Sequence, residues 1–144
     1  MQRSPTSHCM YVGTSRVCRT LVEKVTGRAR RASAKPRSRS RALLHERLRL
    51  LIEKWEPIVG VRVRGWRIKE HEALKDYWAS VDVDHATIAF CARLAGRSSD
   101  FLEFVVVHEL VHLLTRGTRG HGQRFYNLMD VYLPSWRRHA MAET

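Results

Sequence analysis

Cysteine is scarce in this 144-residue chain: there are three (Cys9, Cys18, Cys91), an odd number with no CxxC pair. That count argues against a disulfide framework and against a cysteine-rich zinc site, and points to a reducing cytoplasm. Long apolar runs are also missing. No stretch approaches the roughly 18 residues that would span a bilayer, so no membrane span is expected. The opening residues, MQRSPTSHCMYVGTSRVC, hold no apolar segment of the kind a secretory signal needs. Acidic residues are almost absent where the chain starts. Residues 1–41 carry eleven Lys/Arg and a single acid, Glu23, so ten of the twelve net positive charges lie there.

This imbalance divides the chain into a basic, flexible N-terminal arm (1–41) and a nearly neutral domain (42–144) long enough to bury a real core. The stretch ending at Arg41, GRARRASAKPRSRSR, reads as a Ser/Arg-rich linker in which Pro36 discourages a continuous helix. A short helix with a thin apolar stripe is expected over residues 16–25. An arm of this charge can attract nucleic acid, nucleotides or acidic membranes without sequence specificity. The plainer reading is a solvated tail.

From Ala42 the pattern turns helical. Leu44, Leu48, Leu51, Ile52 and Trp55 fall on one face, with His45, Glu46, Arg47, Arg49 and Lys54 on the other. Pro57 is expected to stop this helix. Val59, Val61 and Val63 then alternate with Gly60, Arg62 and Arg64 in the period of a strand. Residues 78–83 and 87–91 read as a hairpin turning at Asp84-His85. The strongest helix starts near Ser99 or Asp100, with Glu103 in capping-box spacing. Phe101, Phe104, Val105, Val107, Leu110, Val111 and Leu114 make it apolar around much of its circumference, and Gly117 is expected to end it. A further helix spans about 122–133, closed by Pro134, and a short one follows from Ser135. Between the two main C-terminal helices, Thr-Arg-Gly occurs twice in tandem, at 115–117 and 118–120.

Inside the apolar helix lies His108-Glu109-Leu110-Val111-His112, an HExxH motif. Residues four apart on a helix stack on one side, so both imidazoles face one point at zinc-binding separation. Glu109 sits about 100° around the helix from His108, beside a metal rather than on it. There it suits a general base for a water acidified by Zn²⁺. Chance alone produces an HExxH in roughly 3 of 100 shuffled chains of this composition. The apolar setting decides the matter, because three polar groups in a core helix are costly without a shared purpose. A catalytic zinc site needs a third protein ligand. Downstream candidates are His121, Asp130, His139 and Glu143. His121 is favoured, because it lies between Gly120 and Gly122 where a returning loop can present it. Asp130 is otherwise a partner for the ring N–H of a ligand histidine, or simply solvated.

These residues are recognisable. VVVHELVHLL followed by GHGQRFYNLMDVYLPSW resembles the YgjP-like metallopeptidases, a zincin-type family related to the SprT and WLM zinc proteases. In that family HExxH is followed by a short loop, a third histidine, an aromatic four residues on, and Pro-x-Trp. Here these fall on His108, Glu109, His112, His121, Phe125 and Pro134-Ser135-Trp136. Lys54-Trp55-Glu56-Pro57 and Trp78-Ala79-Ser80 also look like family landmarks, so the likeness covers roughly residues 42–138. The resemblance implies an α+β zincin-like fold, with the HExxH helix packed against a small, mostly antiparallel sheet. It also implies zinc on three histidines and a peptide or protein substrate adding to a sheet edge, for which residues 87–91 are the candidate. Tyr126 and Tyr132 are candidate oxyanion donors, although ordinary amphipathic aromatics are the plainer reading. His45, His71 and His85 read as surface histidines.

Two departures stand out. The gap from His112 to His121 is nine residues where the family has six, and the difference equals one Thr-Arg-Gly copy. A duplicated loop that bulges outward and leaves His121 functional is expected. The family's Trp-Gly-Ser-Cys is Trp78-Ala79-Ser80-Val81 here, so no thiol stands at Val81. The expected function is a cytoplasmic, zinc-dependent metallopeptidase. The alternatives are a nucleic-acid-associated, SprT-like protease using the arm and a catalytically inactive zinc-binding module.

Overall fold

The computed structural model describes residues 34–70, 77–116 and 121–142. Outside them lie most of the basic arm with its expected helix over 16–25, His71, Glu143, and residues 117–120 of the tandem repeat.

Helix α1 spans Ala34–Val59, starting earlier and ending later than its prolines suggested. Pro36 falls in the first turn, where the N–H it lacks has no intrahelical acceptor in any case. Pro57 falls in the last turn. The helix closes beyond it, with the N–H groups of Gly60 and Val61 donating to the Glu56 carbonyl at 2.9 and 3.2 Å. Gly60 supplies the left-handed φ of +79° that this closure needs. The compositional border at residue 41 therefore falls inside one helix. Arg41 itself donates to Glu70 Oε1 (2.6 Å) and to the Ile68 carbonyl (2.7 Å), tying α1 to the first strand. Leu44, Leu48, Ile52, Trp55 and Val59 form its buried stripe.

The strand expected at Val59–Val63 is not formed. Val59 is helical, and the Val63 N–H donates to the Glu56 carboxylate at 2.7 Å instead of to a neighbouring strand. Strand β1 is Gly65–Lys69, and the expected hairpin is present as β2 (Ala79–Asp82) and β3 (Thr87–Cys91). The Asp82 carboxylate fixes the turn by accepting from the backbone N–H of His85 (3.2 Å) and contacting its ring Nδ1 (2.8 Å). The strand order is β1-β3-β2, with β1 parallel and β2 antiparallel to β3. The sheet is thus mixed rather than mostly antiparallel. β3 is its central strand, so residues 87–91 are not an edge. Ile88 pairs with Trp66 and Val81, and Phe90 with Ile68 and Ala79. This row of mostly buried apolar side chains faces the core.

A 3₁₀ helix (Ala92–Gly96) leads into α2, Ser99–Thr115. The cap is Ser98, one residue before the expected pair, and its Oγ accepts from the Phe101 N–H at 3.2 Å. Glu103 does not complete a capping box. It reaches across to α1 and accepts from Lys54 Nζ (2.7 Å) and Trp55 Nε1 (2.8 Å). Thirteen of the seventeen α2 residues are buried, which makes α2 the axis of the core. It packs against α1, β2, α3 (Gln123–Tyr132) and α4 (Trp136–Ala142). Arg116, with φ +30°, ends it one residue before Gly117. Among the described residues no helix is long and apolar enough to cross a membrane.

Candidate metal centre

The HExxH residues occupy the deepest part of α2: His108 is 2% exposed, Glu109 0% and His112 4%. The i, i+4 spacing sets the two imidazoles edge to face with centroids 4.9 Å apart and brings their Nε2 atoms to 3.2 Å. His121, on the segment entering α3, points its Nε2 at the same place, 3.1 Å from that of His108 and 3.0 Å from that of His112. The tandem Thr-Arg-Gly segment has not carried His121 away from the pair.

Three mutual contacts of this kind cannot all be hydrogen bonds. Each Nε2 carries either a proton or a lone pair, so at least one contact sets like against like. A shared cation resolves the conflict. Zinc–nitrogen bonds of about 2.0–2.1 Å in a tetrahedron put ligand nitrogens about 3.3–3.4 Å apart. The observed triangle is within a few tenths of an ångström of that. Burial, reinforced by the neighbouring imidazoles, holds His108 well below its ordinary pKa, and burial brings His121 down to about 4. Both rings are thereby neutral at physiological pH, the form that ligates metal.

Glu109 has neither carboxylate oxygen hydrogen-bonded, and burial pushes its pKa up to about 8. A fully buried, unpartnered carboxylate is costly. Its position one residue after His108 gives it a role if a polar or ionic guest occupies the triad. The residues present therefore fit a cation bound by three imidazoles, with an acid/base group adjacent.

The other candidate ligands lie elsewhere. Asp130 accepts from Trp136 Nε1 (2.8 Å) and Arg137 Nη2 (3.2 Å), so it clamps α4 to α3 rather than bonding a ligand histidine. His139 stacks on Phe104 with centroids 5.6 Å apart. Glu143 is outside the described residues. Tyr126 stacks on Trp136 (5.5 Å) and lies beside His121, with centroids 6.2 Å apart. Tyr132 is half-buried on the last turn of α3. His45 is exposed against Trp66 (4.5 Å), and His85 is exposed in the hairpin turn.

The upstream landmarks acquire structural roles. Lys54 and Trp55 hold Glu103, and Glu56 holds Val63. Val81 is fully buried opposite Ile88, a core position served by an apolar side chain. The sequence marks Phe125 as an apolar-face residue of the helix over 122–133 and as the aromatic after the third histidine. In the fold its ring lies against all three histidines.

A buried HExxH helix whose histidines meet a third from the segment before the next helix defines an α+β domain of the metallopeptidase kind. The family model described as "YgjP-like, metallopeptidase domain" matches residues 10–142, and the chain belongs to that family. The match extends well into the basic arm, beyond the residues 42–138 that carry the motif resemblance. No curated protein and no solved structure matches the chain.

Proposed function

We propose that the protein is a zinc-dependent peptidase, with His108, His112 and His121 as the metal ligands and Glu109 as the general base. The observation that carries this reading is the triangle of Nε2 atoms 3.0–3.2 Å apart. Family membership adds peptide bonds as the substrate class. Bound zinc supplies Lewis acidity toward a carbonyl and lowers the pKa of a water.

The chain's own residues do the rest. His108 and His121 present neutral imidazoles without having to lose protons first. Glu109 takes up the proton released when water attacks and passes it to the departing amine. Its place one residue after His108 suits this work, because a cation held by the triad would favour the ionised carboxylate that accepts the proton. An extended substrate that adds to the sheet would do so on β2, the edge strand packed on α2.

Elemental analysis tests the ligand set. About one zinc per chain is expected in the wild type and in Asp130→Ala, with most of it lost in His121→Ala. Retention of zinc by His121→Ala would overturn the three-histidine site. In a peptide-hydrolysis assay, Glu109→Gln is expected to lose at least a hundredfold in kcat while keeping its zinc. Unchanged turnover in that variant would remove Glu109 from the mechanism.

A further inference from the structure

Phe125 is 2% exposed on the first turn of α3, four residues after His121. Its ring centroid lies 4.8 Å from that of His108, 4.7 Å from that of His112 and 4.6 Å from that of His121. The three imidazole centroids are themselves 4.8–4.9 Å apart. The four rings therefore stand at the corners of a nearly regular tetrahedron. Equal separation from three points puts the Phe125 ring on the axis through the middle of the triad. Its height above their plane is then about 3.5–4 Å, the separation of carbon atoms in van der Waals contact. The ring touches all three imidazoles about equally.

Resting on the metal-site reading above, we infer that Phe125 is a positioning residue: its ring closes one face of the His108–His112–His121 triad. A cation held by the three imidazoles would then be open to solvent from the opposite face. The ring has no polar atom to offer a metal or a water. It occupies the space through which a second water or a further ligand would otherwise approach from behind. Contact with all three imidazoles also limits their rotation, so that the nitrogens stay convergent when no ion is present. The surroundings of a metal site control solvent access and coordination number in this way. His121, the one half-exposed member of the triad, comes from the same chain segment that supplies the ring.

Cobalt(II) is a suitable probe, because four-coordinate tetrahedral cobalt absorbs visible light much more strongly than five- or six-coordinate cobalt. In full-length protein, Phe125→Ala is expected to lower the visible absorptivity of bound Co²⁺ several-fold, as water enters from the vacated face. The same variant should weaken zinc affinity at least tenfold in a chelator competition. Phe125→Leu, which keeps an apolar plug of smaller area, should fall between it and the wild type. Met129→Ala, at a fully buried position one turn further along α3, serves as the control for general loosening and should keep the wild-type spectrum.

If Phe125→Ala does not fold, as judged by the circular dichroism of the apoprotein, Phe125→Leu decides the matter. Wild-type spectra and affinity in the Phe125 variants would overturn the proposal, and so would an equal change in Met129→Ala. A wild-type chain that takes up no Co²⁺ would overturn the metal reading itself and this proposal with it. That failure is distinct from one in which the wild type binds and the Phe125 variants match it.

Discussion

At the scale of single residues, the most informative side chains are those whose partners come from far along the chain. Glu103 is one. Burial pulls its carboxyl upward, but hydrogen bonds from Lys54 and Trp55 outweigh this and hold it below its ordinary value of 4.5. Glu103→Ala would strand the indole N–H of Trp55, which is only 7% exposed. The expected cost is about 1–3 kcal/mol in urea unfolding at pH 7. The sign of the pH dependence follows from the lowered folded-state pKa. The stability Glu103 contributes is present above the unfolded value and is lost as pH falls through the folded one. The gap between wild type and Glu103→Ala should therefore narrow below about pH 4.5; a gap that widened in acid would contradict this account. Sequence spacing had assigned Glu103 to a capping box with Asp100. The spacing was real, but a partner 48 residues away leaves no local trace, and the indole competed more effectively than a backbone N–H at the helix start.

At the scale of elements, periodicity was a good guide to which stretches are helical and a poor one to where they end. The apolar stripe of α1 and the all-round burial of α2 were legible in the positions of their leucines, valines and aromatics. The α1 boundaries were not, because proline is penalised in a helix interior and tolerated in a first turn. The valines at 59, 61 and 63 have the period of a strand. Gly60 turns the chain before they can pair, and the strand is displaced to β1. That role of Gly60 is testable. Nothing lies within 4 Å of a Cβ added there, so the cost of Gly60→Ala comes only from its positive φ and should be about 1–2 kcal/mol. Gly96→Ala, where a Cβ also meets open space and φ is unremarkable, should stay within about 0.5 kcal/mol of the wild type. Urea midpoints of the two variants measured side by side would check this, and equal losses would remove the backbone explanation.

At the scale of the whole molecule, the α+β class, the hairpin and the meeting of His108, His112 and His121 were legible, because a four-residue helical spacing and an apolar helix leave few alternatives. Strand order was not. A three-stranded sheet with one parallel and one antiparallel pair depends on which edges meet, and no residue pattern in β1 specifies a parallel neighbour. The joined architecture has a thermodynamic consequence. A cation on the triad links the middle of α2 to the segment entering α3, two parts of the core that separate on unfolding. Binding to the folded state alone stabilises it by an amount set by the ratio of free metal to Kd, about 2.7 kcal/mol at a hundredfold ratio. For a domain of this size that raises Tm by roughly ten degrees. Melting curves in zinc buffered at increasing free concentration should climb without a plateau in the wild type. They should return to the starting value on addition of chelator, and stay nearly flat in His121→Ala. The slope with the logarithm of free zinc should correspond to one ion per chain. A slope that persisted in His121→Ala would place the stabilising ion somewhere other than the triad, and would separate the shape of this metallopeptidase domain from its chemistry.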